Sequence, residues 1–240
     1  MSNPTVVTPE PVVSGARKAA IVMMVIGEER SGKVFKHLQE EEIERIAREV
    51  ASMGTVSTET GEKVLEEFQH LLSAAQLLQV GGVEQAKRLL TKADGGLADW
   101  LRAKLALRDG DLDAAARAYA AASRAFPLDP KAAIDFGQPD PGQETACRVA
   151  GERGVLALSR SDYVAALEQL YAASSLYWPD AAYVAERVLS VDELKAFVDA
   201  KVPATPITPP ATGPASLLRA LLARRLLRAE RYDEALRYFD

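Results

Sequence analysis

From Ser14 onward, apolar residues recur at spacings of three and four in helix-length runs, and a glycine, a proline or a glycine pair ends almost every run. A chain patterned this way buries one stripe per segment only as α-helix, because a strand needs alternation with a period of two. Composition agrees. Hydrophobic residues make up 48% of the 240, yet aromatics only 6%, with Ala and Leu dominant, which favours helices over sheets. The expected fold class is all-α, a small helical bundle followed by an α-α repeat array. The length admits one large or two small domains. A formal net charge of -5, with both signs interleaved and no basic block, gives no nucleic-acid face.

Residues 1–13 carry three prolines without helical period and read as a flexible lead-in. Ser14 is placed to cap a first helix that runs to Ile26 and is closed by Gly27. That helix is apolar nearly all round, so it is expected to be the most buried of its domain. A second, from Glu28 to Leu38, should bury Val34, Phe35 and Leu38. The third, from Glu40 to Met53, aligns Ile43, Ile46, Ala47 and Val50 on one face. Ser57 caps a long fourth helix with a stripe of Val64, Leu65, Phe68, Leu71, Leu72, Ala75 and Leu78. Gly81-Gly82 separates it from a fifth, Val83 to Ala93, and Asp94-Gly95-Gly96 marks the expected domain boundary: residues 14–94, then 95–240. The apolar run Ala19 to Ile26 is eight residues long and lacks a cleavage pattern. It is too short to span a bilayer, so no membrane insertion is expected and the chain reads as cytoplasmic.

Several stretches of the first domain carry a resemblance. Ser14-Gly-Ala-Arg-Lys-Ala-Ala-Ile-Val-Met-Met-Val-Ile-Gly27 is similar to the opening of the N-terminal domain of the flagellar motor switch protein FliG. So are Glu42 to Val50 with Met53-Gly54-Thr-Val-Ser57, Val64-Leu-Glu-Glu-Phe68, and Gly81-Gly82-Val83 leading into Ala86, Leu89 and Leu90. The resemblance covers residues 14–93. It implies a compact helical domain that anchors the switch ring to the inner-membrane ring of the flagellar basal body by wrapping the cytoplasmic C-terminal helices of FliF. It also implies a peripheral position at the cytoplasmic face of the inner membrane and self-association in a ring. The third and fourth helices carry more large apolar residues than so small a bundle needs, so Ile43, Ile46, Val50, Leu65, Phe68 and Leu72 are the candidate partner-binding groove. The family's middle module with its Glu-His-Pro-Gln motif, and its charged C-terminal module, have no counterpart here.

The second half has another texture. Asp111-Leu-Asp-Ala-Ala115 with Tyr119 and Ala122, Asp162-Tyr-Val-Ala-Ala166 with Leu170 and Ala173, and Arg231-Tyr-Asp-Glu-Ala235 with Phe239 align as three copies of one pattern. The small residues Ala103, Gly154 and Ala223 in the preceding helices would permit close helix approach. This resembles the tetratricopeptide repeat, two antiparallel helices per unit. The spacing is irregular: 51 residues from Leu112 to Tyr163 and 69 from Tyr163 to Tyr232, against a usual period of about 34. Leu128 to Gly142 reads as an insertion, Asp180 to Val202 as two further helices, and residues 203–214 as a Pro-rich linker. The array reads as truncated at its C-terminus. Trp100, Lys104, Arg108, Tyr171 and Trp178 are the candidate repeat-groove residues, for a peptide or protein ligand.

No chemistry emerges. There is no phosphate loop, no paired-histidine zinc motif and no glycine-flanked serine. No catalytic, cofactor-binding or metal-binding residues are expected, and the chain reads as an interaction protein, not an enzyme. Two other readings stay open: a repeat scaffold or adaptor that uses the first domain for localisation or dimerisation, and an artefactual fusion of two reading frames at residues 94–96.

Overall fold

A computed structural model describes residues 14–129, 143–202 and 213–239. The fold is all-α. In chain order the helices are α1 (Gly15–Ile26), α2 (Glu28–Phe35), α3 (Glu40–Ser52), α4 (Thr58–Val80), α5 (Val83–Leu90), α6 (Gly96–Arg108) and α7 (Leu112–Ala125). Then follow α8 (Glu144–Ser159), α9 (Tyr163–Ala172), α10 (Ser174–Tyr183), α11 (Val191–Lys201), α12 (Pro214–Arg228) and α13 (Tyr232–Ala235). No strand occurs among the described residues. The expected lead-in at 1–13, nearly all of the insertion and nearly all of the Pro-rich linker lie outside them. The chain divides into two units, residues 1–70 and 71–240, and the division falls inside α4. The glycine seam at 94–96 separates α5 from α6, within the second unit.

The first unit is well capped and thinly cored. Ser14 Oγ accepts from the Arg17 amide at 3.2 Å, Gln39 and Glu42 form a capping box on α3, and Ser57 Oγ accepts from the Thr60 amide at 3.1 Å. Each satisfies helix-start donors that would otherwise lack partners. The core gathers Ile21, Val22 and Val64, with Ile26, Met53, Val56 and Leu65 packed around them. Beside it Lys18 pairs with Glu67 at 2.6 Å. The sequence placed α1 at the centre, buried on all sides, and the structure differs. Ala20, Ile21 and Val22 are buried, but Met24 is 47% and Val25 48% exposed. Val34, expected inside, is also exposed. These helices do not cover an all-apolar α1 on every side.

The second unit is built on a repeated hairpin. Four turns share one geometry: α4 into α5, α6 into α7, α8 into α9, and α12 into α13. At each, one residue takes the left-handed conformation: Gly81 (φ 88°), Gly110 (77°), Ser161 (60°) and Glu230 (61°). The next amide then reaches back to close the preceding helix, Gly82 to Leu77 O at 2.7 Å, and Asp111 to Ala106 O, Asp162 to Ala157 O and Arg231 to Leu226 O at 2.9 Å each. This closure satisfies carbonyls that a helix end leaves open. Each turn is bracketed by a buried pair of small residues: Ala74 and Ala86, Ala103 and Ala115, Gly154 and Ala166, Ala223 and Ala235. At Gly154 an added Cβ would lie 2.7 Å from Leu170 Cγ, so the approach of α8 to α9 depends on its absence. The three copies visible in sequence thus have a fourth counterpart ahead of them, the hairpin formed by the end of α4 with α5.

That first hairpin is fixed to α6. Ala74, Ala86, Leu90 and Ala93 share a core with Ala98 and Leu105. Arg102 of α6 donates to Leu90 O at 2.8 Å and to Ala93 O at 2.5 Å, and Arg108 donates to Leu78 O at 3.3 Å. Further along, α10 kinks at Tyr177 (φ -117°, ψ 21°) and continues. Pro179 falls in the first turn of the continuation, where its missing N–H costs nothing. The largest core joins α9, α11 and α12. In the last hairpin Leu236 and Phe239 are exposed, whereas the matching Leu167 and Leu170 of α9 are fully buried.

Candidate functional site

The six groove candidates divide by burial. Ile46 is buried, Leu65 packs on the first core, and Ile43 is half-buried. Val50 is exposed and Phe68 is 44% exposed. Leu72, 51% exposed, lies on the part of α4 that belongs to the second unit. The first unit therefore presents Met24, Val25, Val34, Val50 and Phe68 to solvent from α1, α2, α3 and α4. Large apolar side chains are thus exposed from four helices around a small core.

A cavity of about 770 Å³ lies in the same unit, with Ile21, Met53, Val56 and Val64 on its walls and Arg17 and Lys18 among its polar residues. None of the six candidates lines it. No residue spacing pointed to it, because its walls come mainly from α1, α4 and the α3–α4 connection, whose approach is a tertiary fact.

In the second unit Trp100 and Lys104 come together and the other repeat-groove candidates do not join them. The Trp100 indole Nε1 donates to Glu152 Oε2 at 2.6 Å, Lys104 Nζ lies 2.6 Å from Glu152 Oε1, and the Tyr119 hydroxyl donates to Oε2 at 3.0 Å. Lys104 also sits 4.7 Å over the Trp100 ring. One carboxylate of α8 is thus saturated by donors from α6 and α7. Burial first, and then the Glu152 charge, raises the Tyr119 pKa, so its hydroxyl stays protonated as a donor. Glu152 was not singled out in the sequence, and Tyr119 only as a repeat position; they lie 52 and 19 residues from Trp100, and no spacing rule connects them. Arg108 caps α4 through Leu78 O. Tyr171 is buried, edge-on to Phe197 at 5.9 Å, and Trp178 packs against the same core.

Cys147 is buried 3.4 Å from Ser175 Oγ, and burial pushes its thiol pKa up, away from a reactive thiolate. Among the described residues no group of three or more His, Cys, Asp or Glu side chains could hold a metal ion. Nor is any described helix long and apolar enough to cross a membrane.

With the capped first helices, the exposed apolar side chains and the Gly81-Gly82 turn in view, the comparison with known proteins is specific. Residues 12–106 match the family model of the FliG N-terminal domain. Curated relatives over the same region carry the name flagellar motor switch protein FliG. That of Thermotoga maritima is 42% identical over 87 residues, which is 36% of this chain and 26% of the relative. That of Borreliella burgdorferi is 43% identical over 83 residues, 35% of this chain and 24% of the relative. That of Bacillus subtilis is 36% identical over 83 residues, 35% and 25%. The chain spans about a quarter of the length of the curated relatives it matches. No solved structure matches it. The FliG match reaches residue 106, through α5 and into α6.

Proposed function

We propose that this chain is a non-enzymatic structural component of the flagellar rotor, attached through its FliG-like N-terminal domain. The domain would take up the cytoplasmic C-terminal helices of FliF on the apolar side chains that α1, α3 and α4 expose, at the cytoplasmic face of the inner membrane. Self-association would follow the ring of the basal body. The helical array, read as tetratricopeptide-like, serves as a protein docking arm. The single observation that carries the reading is the match of residues 12–106 to the FliG N-terminal domain. The exposure of Met24, Val25, Val50 and Phe68 supports it physically, since covering the apolar surface they still expose contributes roughly 25 cal/mol per Å².

Capture of a FliF C-terminal segment by the full chain tests this. Phe68→Asp places a charge on the exposed stripe, and binding should fall at least tenfold while the helical circular dichroism is unchanged. A folded Phe68→Asp protein that binds as tightly as the parent sinks the role of that face; no binding by the parent sinks the rotor reading and leaves the adaptor. A join of two reading frames at residues 94–96 sits poorly with Arg102 and Arg108, which cap helices from the other side of that seam.

A further inference from the structure

The cavity of about 770 Å³ in the first unit opens onto that unit's core. Ile21 and Val64, both core residues, share its wall with the half-buried Met53 and Val56. Three bases, Arg17, Lys18 and Lys63, and two acids, Glu49 and Glu67, stand around them. Lys18 pairs with Glu67 at 2.6 Å and Lys63 with Glu59 at 2.9 Å, whereas Arg17 is exposed and makes no ion pair among the described residues. Ser14 lines the cavity as well. It is the cap of α1, with an extended backbone (φ -61°, ψ 154°). The chain therefore enters the first unit at the cavity wall.

Residues 1–13, which lie outside the described residues, are joined directly to Ser14. They hold four valines, three prolines and one charged side chain, Glu10. An apolar cavity with an unmatched base at its edge suits such a segment. Apolar surface gains roughly 25 cal/mol per Å² on burial, and a carboxylate pairs strongly with a guanidinium. Proline lowers the entropy lost when a chain is ordered. An extended chain covers about 3.3 Å per residue, so Glu10, four residues before Ser14, reaches up to about 13 Å from it. We propose that residues 10–13 fold back as a strap over this cavity, their apolar side chains against Met53 and Val56 and Glu10 against Arg17. The strap's own chain is favoured over a second copy because a short tether holds it at an effective concentration on the order of millimolar. It leaves Met24, Val25, Val50 and Phe68 exposed for a partner, so this inference and the FliF reading fail separately.

Thiol labelling of the full chain with a maleimide tests the strap. On a Cys147→Ala background, Val56→Cys puts a probe thiol in the cavity wall, and Val80→Cys puts a control thiol at an 81% exposed position of the second unit. Deleting residues 1–13 should speed labelling at 56 at least fivefold and leave the rate at 80 unchanged. Glu10→Lys should give part of that gain. Val12→Asp combined with Val13→Asp should give nearly all of it, with the helical circular dichroism unchanged. The double-aspartate protein carries the test if the deletion unfolds the first unit. Labelling at 56 that is as fast in the parent as in the folded deletion or double-aspartate protein overturns the proposal. Protection that is lost on tenfold dilution overturns it too, and assigns the cavity to a second copy. Protection that appears only when a FliF C-terminal segment is added overturns it in favour of that partner.

Discussion

A missing Cβ sets the spacing of α8 and α9. Leucine at 154 would force its Cβ to within 2.7 Å of Leu170 Cγ, and overpacking of this kind typically costs about 1–3 kcal/mol. Gly154→Leu should therefore lower the unfolding free energy, read from urea titration, by about 1–3 kcal/mol. Gly32→Ala is the control: nothing lies within 4 Å of its added Cβ, and in the interior of α2 the change should stabilise by about 1 kcal/mol. The Glu152 carboxylate is a different kind of residue-scale keystone. Glu152→Gln keeps the shape but removes the charge that Lys104, Trp100 and Tyr119 address. A loss of about 1–3 kcal/mol in urea unfolding is expected, since hydrogen bonds to a charged group are the stronger kind.

At the scale of the element, the four hairpin turns differ in how well their residues suit one conformation. Gly81 and Gly110 adopt a positive φ freely, while Ser161 and Glu230 hold it with a Cβ, at roughly 1–2 kcal/mol each. Ser161→Gly and Glu230→Gly should each stabilise by up to about 1 kcal/mol, and Gly110→Ala should destabilise by a similar amount. Thermal unfolding of the three variants checks the sign. The last element adds a pH dependence. Tyr238 donates to Asp199, and Lys195 Nζ lies 2.9 Å from Asp199 Oδ2. Burial raises the carboxyl pKa, but the hydrogen bonds from Tyr238 and Lys195 outweigh it and the net shift is downward. The folded pKa is then below the unfolded value of about 3.9. The stabilisation is complete above that value and is lost as pH falls through the folded pKa. Urea midpoints of the parent should drop, as pH falls below about 4, more than those of Asp199→Asn.

At the scale of the whole molecule, the question is which segments fold together. The end of α4 and all of α5 share a core with α6, and α6 supplies the arginines that cap them. A fragment starting at residue 71 should therefore unfold at higher urea than one starting at residue 95. The shorter fragment exposes Leu105 and leaves Arg102 without its carbonyl partners. Equal midpoints would mean that the seam at 94–96 separates independent modules after all.

Much of this was legible in the chain itself. The all-α class, Ser14 and Ser57 as caps, Gly27 as a stop, and the small residues at Ala103, Gly154 and Ala223 follow from local rules, because helix period, capping and positive φ act over a few residues. The candidate site was legible only in part. The stripe on α3 and α4 was visible, but which of its residues face outward was not: Ile46 went to the core, and Phe68 to solvent. Periodicity defines a face and says nothing of how many neighbours exist to cover it, which is also why α1 was expected to be buried all round. The Trp100–Glu152 network, the cavity of the first unit, the passage of α10 through Pro179, and the kinship of the α4–α5 hairpin with those after it were settled by the tertiary structure. Each depends on residues far apart in sequence, and packing, not spacing, decides which of them meet.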